Sequence, residues 1–244
     1  MEIDARGITY KALNESLRQA MAHGASDIVV RNVNGQRYIG TNLQREVRLE
    51  LHGTPGNDLG AFMDGPSIVV HGNVQDGTGN TMNSGSIVVH GHAGDALGLA
   101  ARGGTILVQG GAGYRAGIHM KEYQGIGPRI VIGGMAQDFL GEYMAGGVLV
   151  VLGLSGISAG KIRARFVGTG MHGGAIFLRG TVESHQLGKE VGVAALTDED
   201  VVVLAELVGE YCEHFGGSPS DIMAMDFVKL FPLYLRPYGR LYAY

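Results

Sequence analysis

Ser67-Ile68-Val69-Val70-His71-Gly72 returns nineteen residues later as Ser86-Ile87-Val88-Val89-His90-Gly91. The same apolar run ending in glycine recurs along the chain, at Gly53, Gly72, Gly91, Gly110, Gly134, Gly153 and Gly180, with spacings of 19, 19, 19, 24, 19 and 27 residues. A fixed period with insertions confined to two repeats marks a solenoid, in which each coil buries its apolar face only against its neighbours.

The second and fourth residues before each repeat glycine are aliphatic without exception: Leu51/Leu49, Val70/Ile68, Val89/Ile87, Val108/Ile106, Ile132/Ile130, Val151/Leu149 and Leu178/Ile176. Alternate positions share one face of a strand, so these side chains are expected to point inward. Seven residues after the first six repeat glycines stands another, at Gly60, Gly79, Gly98, Gly117, Gly141 and Gly160, which reads as a corner. A nineteen-residue step fits neither six-residue nor nine-residue solenoid repeats. The expected fold is an all-β solenoid, a right-handed parallel β-helix over residues 28–182.

The third residue before each repeat glycine should face outward, yet after Glu50 it reads Val69, Val88, Leu107, Val131, Val150 and Phe177. Strands covered on both faces read as continuous apolar runs. This strip is therefore expected to be covered, by the chain's own helices, by another copy or by a different protein.

The flanks change character. Thr9 can cap a helix over roughly residues 10–23, with Leu13, Leu17, Ala20 and Met21 on one stripe and Gly24 as its stop; residues 1–27 read as a helical cap. Ile28-Val29-Val30 and Tyr38-Ile39 look like an imperfect first coil. Residues 183–244 read as an extension with two helices and an aromatic tail. In it, Thr197-Asp198-Glu199-Asp200 resembles a capping box opening a helix to about Phe215, with Val201, Leu204, Leu207, Val208 and Tyr211 at helical spacing. A second helix is expected from Ser220 to Phe231, stopped by Pro232. The tail carries Tyr234, Arg236, Tyr238, Arg240, Tyr242 and Tyr244, residue types common in interface cores.

Composition narrows the function. A net charge of −4 over 244 residues, with no cluster of Lys and Arg among aromatics, argues against nucleic acid. The single Cys212 allows no internal disulfide, no apolar stretch approaches the roughly 20 residues that span a bilayer, and Met1-Glu2-Ile3-Asp4 lacks the features of a signal peptide. A cytoplasmic protein is expected.

Three motif look-alikes fail on context. Gly156-Ile157-Ser158-Ala159-Gly160 has the form of a nucleophile elbow, but its glycines sit at repeat positions and no amphipathic helix follows. Gly168-Thr169-Gly170-Met171-His172-Gly173 leads into a strand rather than a helix, and Gly160-Lys161 lacks the flanking residues of a phosphate loop. His52, His71 and His90 share one repeat position and should stack as an external ladder, read as a polar strip because a shared metal would require unusual rotamers. Asp76, Asp95 and Asp138 also share a position, where turn bonding is the commoner use of Asp. No nucleophile, base and orienter converge, so no catalytic, cofactor-binding or metal residue is assigned.

Longer phrases carry a resemblance. His52-Gly53-Thr54-Pro55-Gly56-Asn57-Asp58-Leu59-Gly60-Ala61-Phe62, Gly117-Ile118-His119-Met120-Lys121-Glu122-Tyr123 and Gly141-Glu142-Tyr143-Met144-Ala145-Gly146-Gly147 running on to Gly153 resemble the C-terminal β-helix domain of the glutamate synthase large subunit, the GXGXG-motif domain. The likeness reaches from Ile3-Asp4-Ala5-Arg6 to Val182-Glu183-Ser184-His185-Gln186-Leu187-Gly188 and is nearest the form encoded as a separate chain. It implies a non-catalytic assembly subunit in an oxidoreductase complex for glutamate biosynthesis. Its partners would be a glutamine amidotransferase and an FMN-dependent synthase, with FMN and iron–sulfur clusters in the partner chains and none in this one. The domain also resembles the glycine-rich scaffold component of formylmethanofuran dehydrogenases and a component of N-methylglutamate synthase-like assemblies. Self-association of the isolated chain through its apolar strip is a further expectation. A stand-alone β-helix acting on carbohydrate is the reading from a different class, weakened by the few aromatics on the coils, chiefly Phe62, Tyr114, Tyr123, Phe139, Tyr143 and Phe166.

Overall fold

The computed structural model describes residues 1–155 and 162–234. The chain is a parallel β-solenoid. It opens with β1 (Glu2–Asp4), α1 (Tyr10–Ala22) and β2 (Asp27–Asn34), then winds through β3 (Arg48–Thr54), β4 (Ser67–His71), β5 (Ser86–Val89), β6 (Thr105–Val108), β7 (Arg129–Ile132), β8 (Ala145–Val151) and β9 (Gly173–Arg179). After a 3-10 turn at Ser184–Gln186 come β10 (Val191–Ala194), α2 (Asp198–Phe215), α3 (Pro219–Met223) and β11 (Phe227–Pro232). Strands β1 to β9 pair in chain order, each parallel to the next, and one sheet of 11 strands runs the length of the molecule.

The register repeats the sequence. Ile68 pairs with Ile87, Ile87 with Ile106, Ile106 with Ile130, and Ile130 with Leu149, so equivalent side chains stack coil upon coil. All fourteen inward aliphatics are buried. The second side of the coil is reduced to single bridges, Val74 to Ala93, Ala93 to Ala112 and Ala112 to Ala136, at buried and mostly small residues. Two more buried columns finish the core, Leu59, Leu97, Ala116, Leu140 and Val167 in one, and Met63, Met82, Ala101, Met120, Met144 and Met171 in the other.

The corner glycines have a steric reason beyond the turn itself. At Gly98, φ is +66°, and a Cβ there would run into Cδ1 of Ile130. The isoleucine of one coil fills the space that the missing side chain of an earlier coil leaves. In the sixth coil, the glycine counted from the repeat, Gly160, lies outside the described residues; Gly168 holds the corner register, its N–H bonding Leu140 O as that of Gly141 bonds Ala116 O. The insertion therefore falls before this corner.

At the N-terminal end, α1 begins where expected, with Thr9 Oγ1 accepting from Ala12 N–H, and buries Leu13, Leu17, Ala20 and Met21. At the other end, α2 starts at a capping box in which Thr197 and Asp200 each accept from the other's backbone N–H, and it ends at Gly216 with φ +78°. Leu204, Leu207, Val208 and Tyr211 are buried, while Val201 faces out at 43% exposure.

The expected second helix, Ser220 to Phe231, is corrected by the structure. Only Pro219–Met223 is helical, and the rest becomes β11, wedged antiparallel between β9 and β10. An exposed solenoid end is an unpaired sheet edge, and β11 satisfies the backbone groups of β9 there. Its side chains alternate accordingly: Val228 and Leu230 pack against the solenoid core, and Phe227 and Lys229 reach toward α2. Among the described residues, no helix is long and apolar enough to cross a membrane.

Candidate functional site

The outward strip lies beneath α2. Val88, Leu107, Val131, Val150 and Phe177 are buried in one cluster with Leu152, Leu204, Leu207, Val208, Tyr211, Cys212 and Ile222, and Val69 is partly buried at its margin. Tyr211 donates its hydroxyl proton to Gln109 O at 3.3 Å, and burial, with the neighbouring Cys212, pushes its phenol up to about 12. Arg129 of β7 anchors the outer side of the helix, with Nη1 2.6 Å from Glu206 Oε1. The helix occupies the surface that a partner or second copy would need.

The aspartates join successive coils. Asp76 Oδ1 accepts from Asp95 N–H at 2.9 Å, Asp95 Oδ1 from Tyr114 N–H at 2.8 Å, and Asp138 Oδ1 from Arg165 N–H at 2.8 Å. Each carboxylate thus spends its charge on the backbone of the next coil.

His52, His71 and His90 stack with ring centroids 4.6 and 5.1 Å apart, and Phe215 at the end of α2 closes the column edge-on against His90 at 5.0 Å. Burial, then the nearby His71 and His214, pushes the His90 imidazole below the ordinary histidine value. Glu50 is the one charged member of the outward strip. It places Oε1 3.1 Å from His52 Nε2 and 3.2 Å from His71 Nε2, and its Oε2 accepts from Arg48 at 3.2 Å. Burial by itself would raise the Glu50 carboxyl, but the bonds to His52 and His71 and the Arg48 charge hold it below the usual glutamate value.

A surface that composition alone does not expose lies at a corner of the coils. Arg115, Phe139 and Phe166 share one register with φ of +61°, +65° and +59°; the guanidinium sits 4.9 Å from the Phe139 centroid and the two phenyl rings stack at 4.9 Å. Four residues further along the same corner, His119 and Tyr143 also adopt positive φ and stack at 5.2 Å. The Tyr143 ring lies over Gly170, where any Cβ would strike it. Between the columns, Glu142 is buried and its Oε2 accepts from Arg115 Nε at 3.0 Å. Non-glycine residues held at positive φ are strained, and such strain concentrates at functional surfaces. Phe166 and Tyr143 are nevertheless about half exposed, as is Tyr114. Aromatic groups with an arginine, rigidly presented and open to water, have the make-up of a protein-binding surface. The signal in the sequence is positional: residues five and nine after successive repeat glycines, Arg115 and Phe139, then His119 and Tyr143, read down a column rather than along the chain.

The elbow look-alike Gly156–Gly160, the Gly160-Lys161 pair and the tail residues Arg236, Tyr238, Arg240, Tyr242 and Tyr244 lie outside the described residues. Gly168 is a corner glycine, and the run after it enters β9, a strand.

Comparisons with known proteins agree with this architecture. The GXGXG motif family matches residues 19–236. An uncharacterized protein of Methanocaldococcus jannaschii, MJ1350, is 43% identical over 249 residues, covering 98% of this chain and 95% of its own. In fold, the chain is similar to one chain in a crystal structure of the formyltransferase/hydrolase complex (FhcABCD) from Methylorubrum extorquens in complex with methylofuran, with a TM-score of 0.58 at 19% identity over 91% of this chain and 87% of that one. With its glycine-cornered coils stacked in register and the family match spanning most of its length, the chain belongs to the GXGXG motif family.

Proposed function

We propose that this protein is a non-catalytic assembly subunit of a multi-subunit enzyme, a rigid rod on which catalytic chains are mounted. The observation that carries the reading is the division of its surface. The sheet's apolar outer face is covered by α2, whereas Arg115, Phe166, His119 and Tyr143, stacked with the half-buried Phe139 in two columns, are open to water at a stiff corner. The fold likeness to one member of a named enzyme complex supports the same class.

The finer reading is a glutamate synthase-type complex, supported by the extended phrases His52–Phe62, Gly117–Tyr123 and Gly141–Gly153. In it, a glutamine amidotransferase and an FMN-dependent synthase are the partner chains, FMN and iron–sulfur clusters reside there, and this chain positions the two so that released ammonia passes between them. A second reading, membership of a formyltransferase/hydrolase or formylmethanofuran dehydrogenase type of assembly, is favoured by the structural comparison.

Purification of the tagged chain from its native cells under mild conditions, followed by identification of its companions and assay of glutamine-dependent glutamate formation, tests both. An amidotransferase and a flavoprotein with that activity support the first reading. Pterin-dependent or formyl-transferring companions support the second, and recovery of the chain alone contradicts the assembly role.

A further inference from the structure

We propose that Glu50, His52 and His71 form a binding site for a divalent transition-metal ion of the zinc type, at the edge where β3 meets β4. The two imidazoles come from adjacent coils held in fixed register, since His52 pairs with His71 in the β3–β4 ladder. Glu50 lies two residues before His52 on the same outward face, so its carboxylate and both rings converge on one side of the sheet. The three donor atoms, Glu50 Oε1, His52 Nε2 and His71 Nε2, lie within 4.8 Å of one another.

The spacing suits a coordination polyhedron. With metal–ligand bonds of about 2.0–2.1 Å, two donors are separated by about 3.3 Å at a tetrahedral angle and about 2.9 Å at a right angle. The separations from Glu50 Oε1 to the two nitrogens, 3.1 and 3.2 Å, fall between these values. The rings are tilted 20° to each other at a centroid distance of 4.6 Å, so closing both nitrogens onto one ion takes a turn of one imidazole about its Cβ–Cγ bond. The His71 side chain is 39% exposed and lies between the His52 and His90 rings, so the turn shifts its stacking on both. Two imidazoles and one carboxylate are a ligand set for zinc, cobalt or nickel rather than magnesium or calcium.

The surroundings supply what such a site needs. Arg48 donates to the second oxygen of Glu50, which fixes the carboxylate with Oε1 toward the histidines, a role common among groups behind metal ligands. His90 and Phe215 wall the column on the far side, and with three protein donors a tetrahedral ion would keep its fourth position for water. Bound there, the ion would rivet the coils of β3 and β4 to each other.

The test uses the full chain, purified without a histidine tag and stripped with chelator. Equilibrium dialysis against zinc should give one tightly held ion per chain, and X-ray absorption of that sample should show two imidazoles and an oxygen ligand. His52→Asn, His71→Asn and Glu50→Gln should each weaken binding at least tenfold with unchanged circular dichroism. His185→Asn, which removes the exposed His185–Glu183 pair, should change nothing. Absence of stoichiometric zinc, or a folded His52→Asn/His71→Asn double variant that binds as wild type does, overturns the proposal. A variant that fails to fold leaves the decision to the wild-type absorption spectrum, where a shell without two imidazoles also overturns it.

Discussion

The Lys229 ammonium of β11 lies 2.6 Å from Asp200 Oδ1, while Asp200 Oδ2 accepts from the backbone N–H and the hydroxyl of Thr197. One carboxylate thereby starts α2 and ties it to the strand that closes the solenoid. Burial alone would raise the Asp200 carboxyl, but the Lys229 bond and the Thr197 bonds outweigh it and hold the group below the usual aspartate value. A carboxyl whose folded pKa is depressed stabilises the fold fully above its unfolded pKa, and that contribution is lost as pH falls through the folded value. Wild-type stability should therefore drop on acidification below about pH 4. Asp200→Asn should cost about 1–2 kcal/mol at neutral pH and flatten the acid limb, as read by urea unfolding across pH.

Gly98→Ala should destabilise the solenoid by about 2–3 kcal/mol, from strain at positive φ and from collision with Ile130. Because the collision is with Cδ1, Ile130→Val should restore part of the loss in the double variant although it is mildly destabilising alone. Additive losses in a double-mutant cycle would show that the two positions do not interlock.

These two sites show what is legible in the sequence and what is not. Repeat glycines and inward aliphatics are legible because every coil meets the same neighbours, so one physical demand is written seven times. The capping residues Thr9 and Thr197 are legible because helix starts are local. Residues 227–232 are not: their alternation answers to β9, some 50 residues earlier, and a helical reading ignores the sheet edge waiting there. The aromatic columns are hidden for a related reason, since Arg115, Phe139 and Phe166 meet only after the insertions between them are counted out. Glu50 reads as the polar exception in an apolar strip, and its link to the histidine ladder needs side-chain positions.

Leu207→Ala opens a cavity between α2 and the outer strip and should cost about 2–4 kcal/mol. Val202→Ser, on the exposed face of the same helix, should stay within about 0.5 kcal/mol of wild type. Equal losses in urea unfolding would mean that α2 does not dock as described.

Asp95→Ala removes the acceptor for Tyr114 N–H between successive coils and should cost about 1–2 kcal/mol. Asp95→Asn keeps an oxygen acceptor and should lose less than half as much. Hydrogen exchange at the Tyr114 amide is the direct readout, faster in the alanine variant than in the asparagine one.

The assembly role is tested most directly by purifying the native complex with wild-type chain and with a Phe139→Ser/Tyr143→Ser variant, comparing mass by light scattering and companions by mass spectrometry. The wild type should yield a defined complex, and the variant should keep its circular dichroism but be recovered without at least one partner. A variant that assembles like wild type would contradict the aromatic columns as the docking surface, and a wild-type chain recovered alone would contradict the assembly role itself.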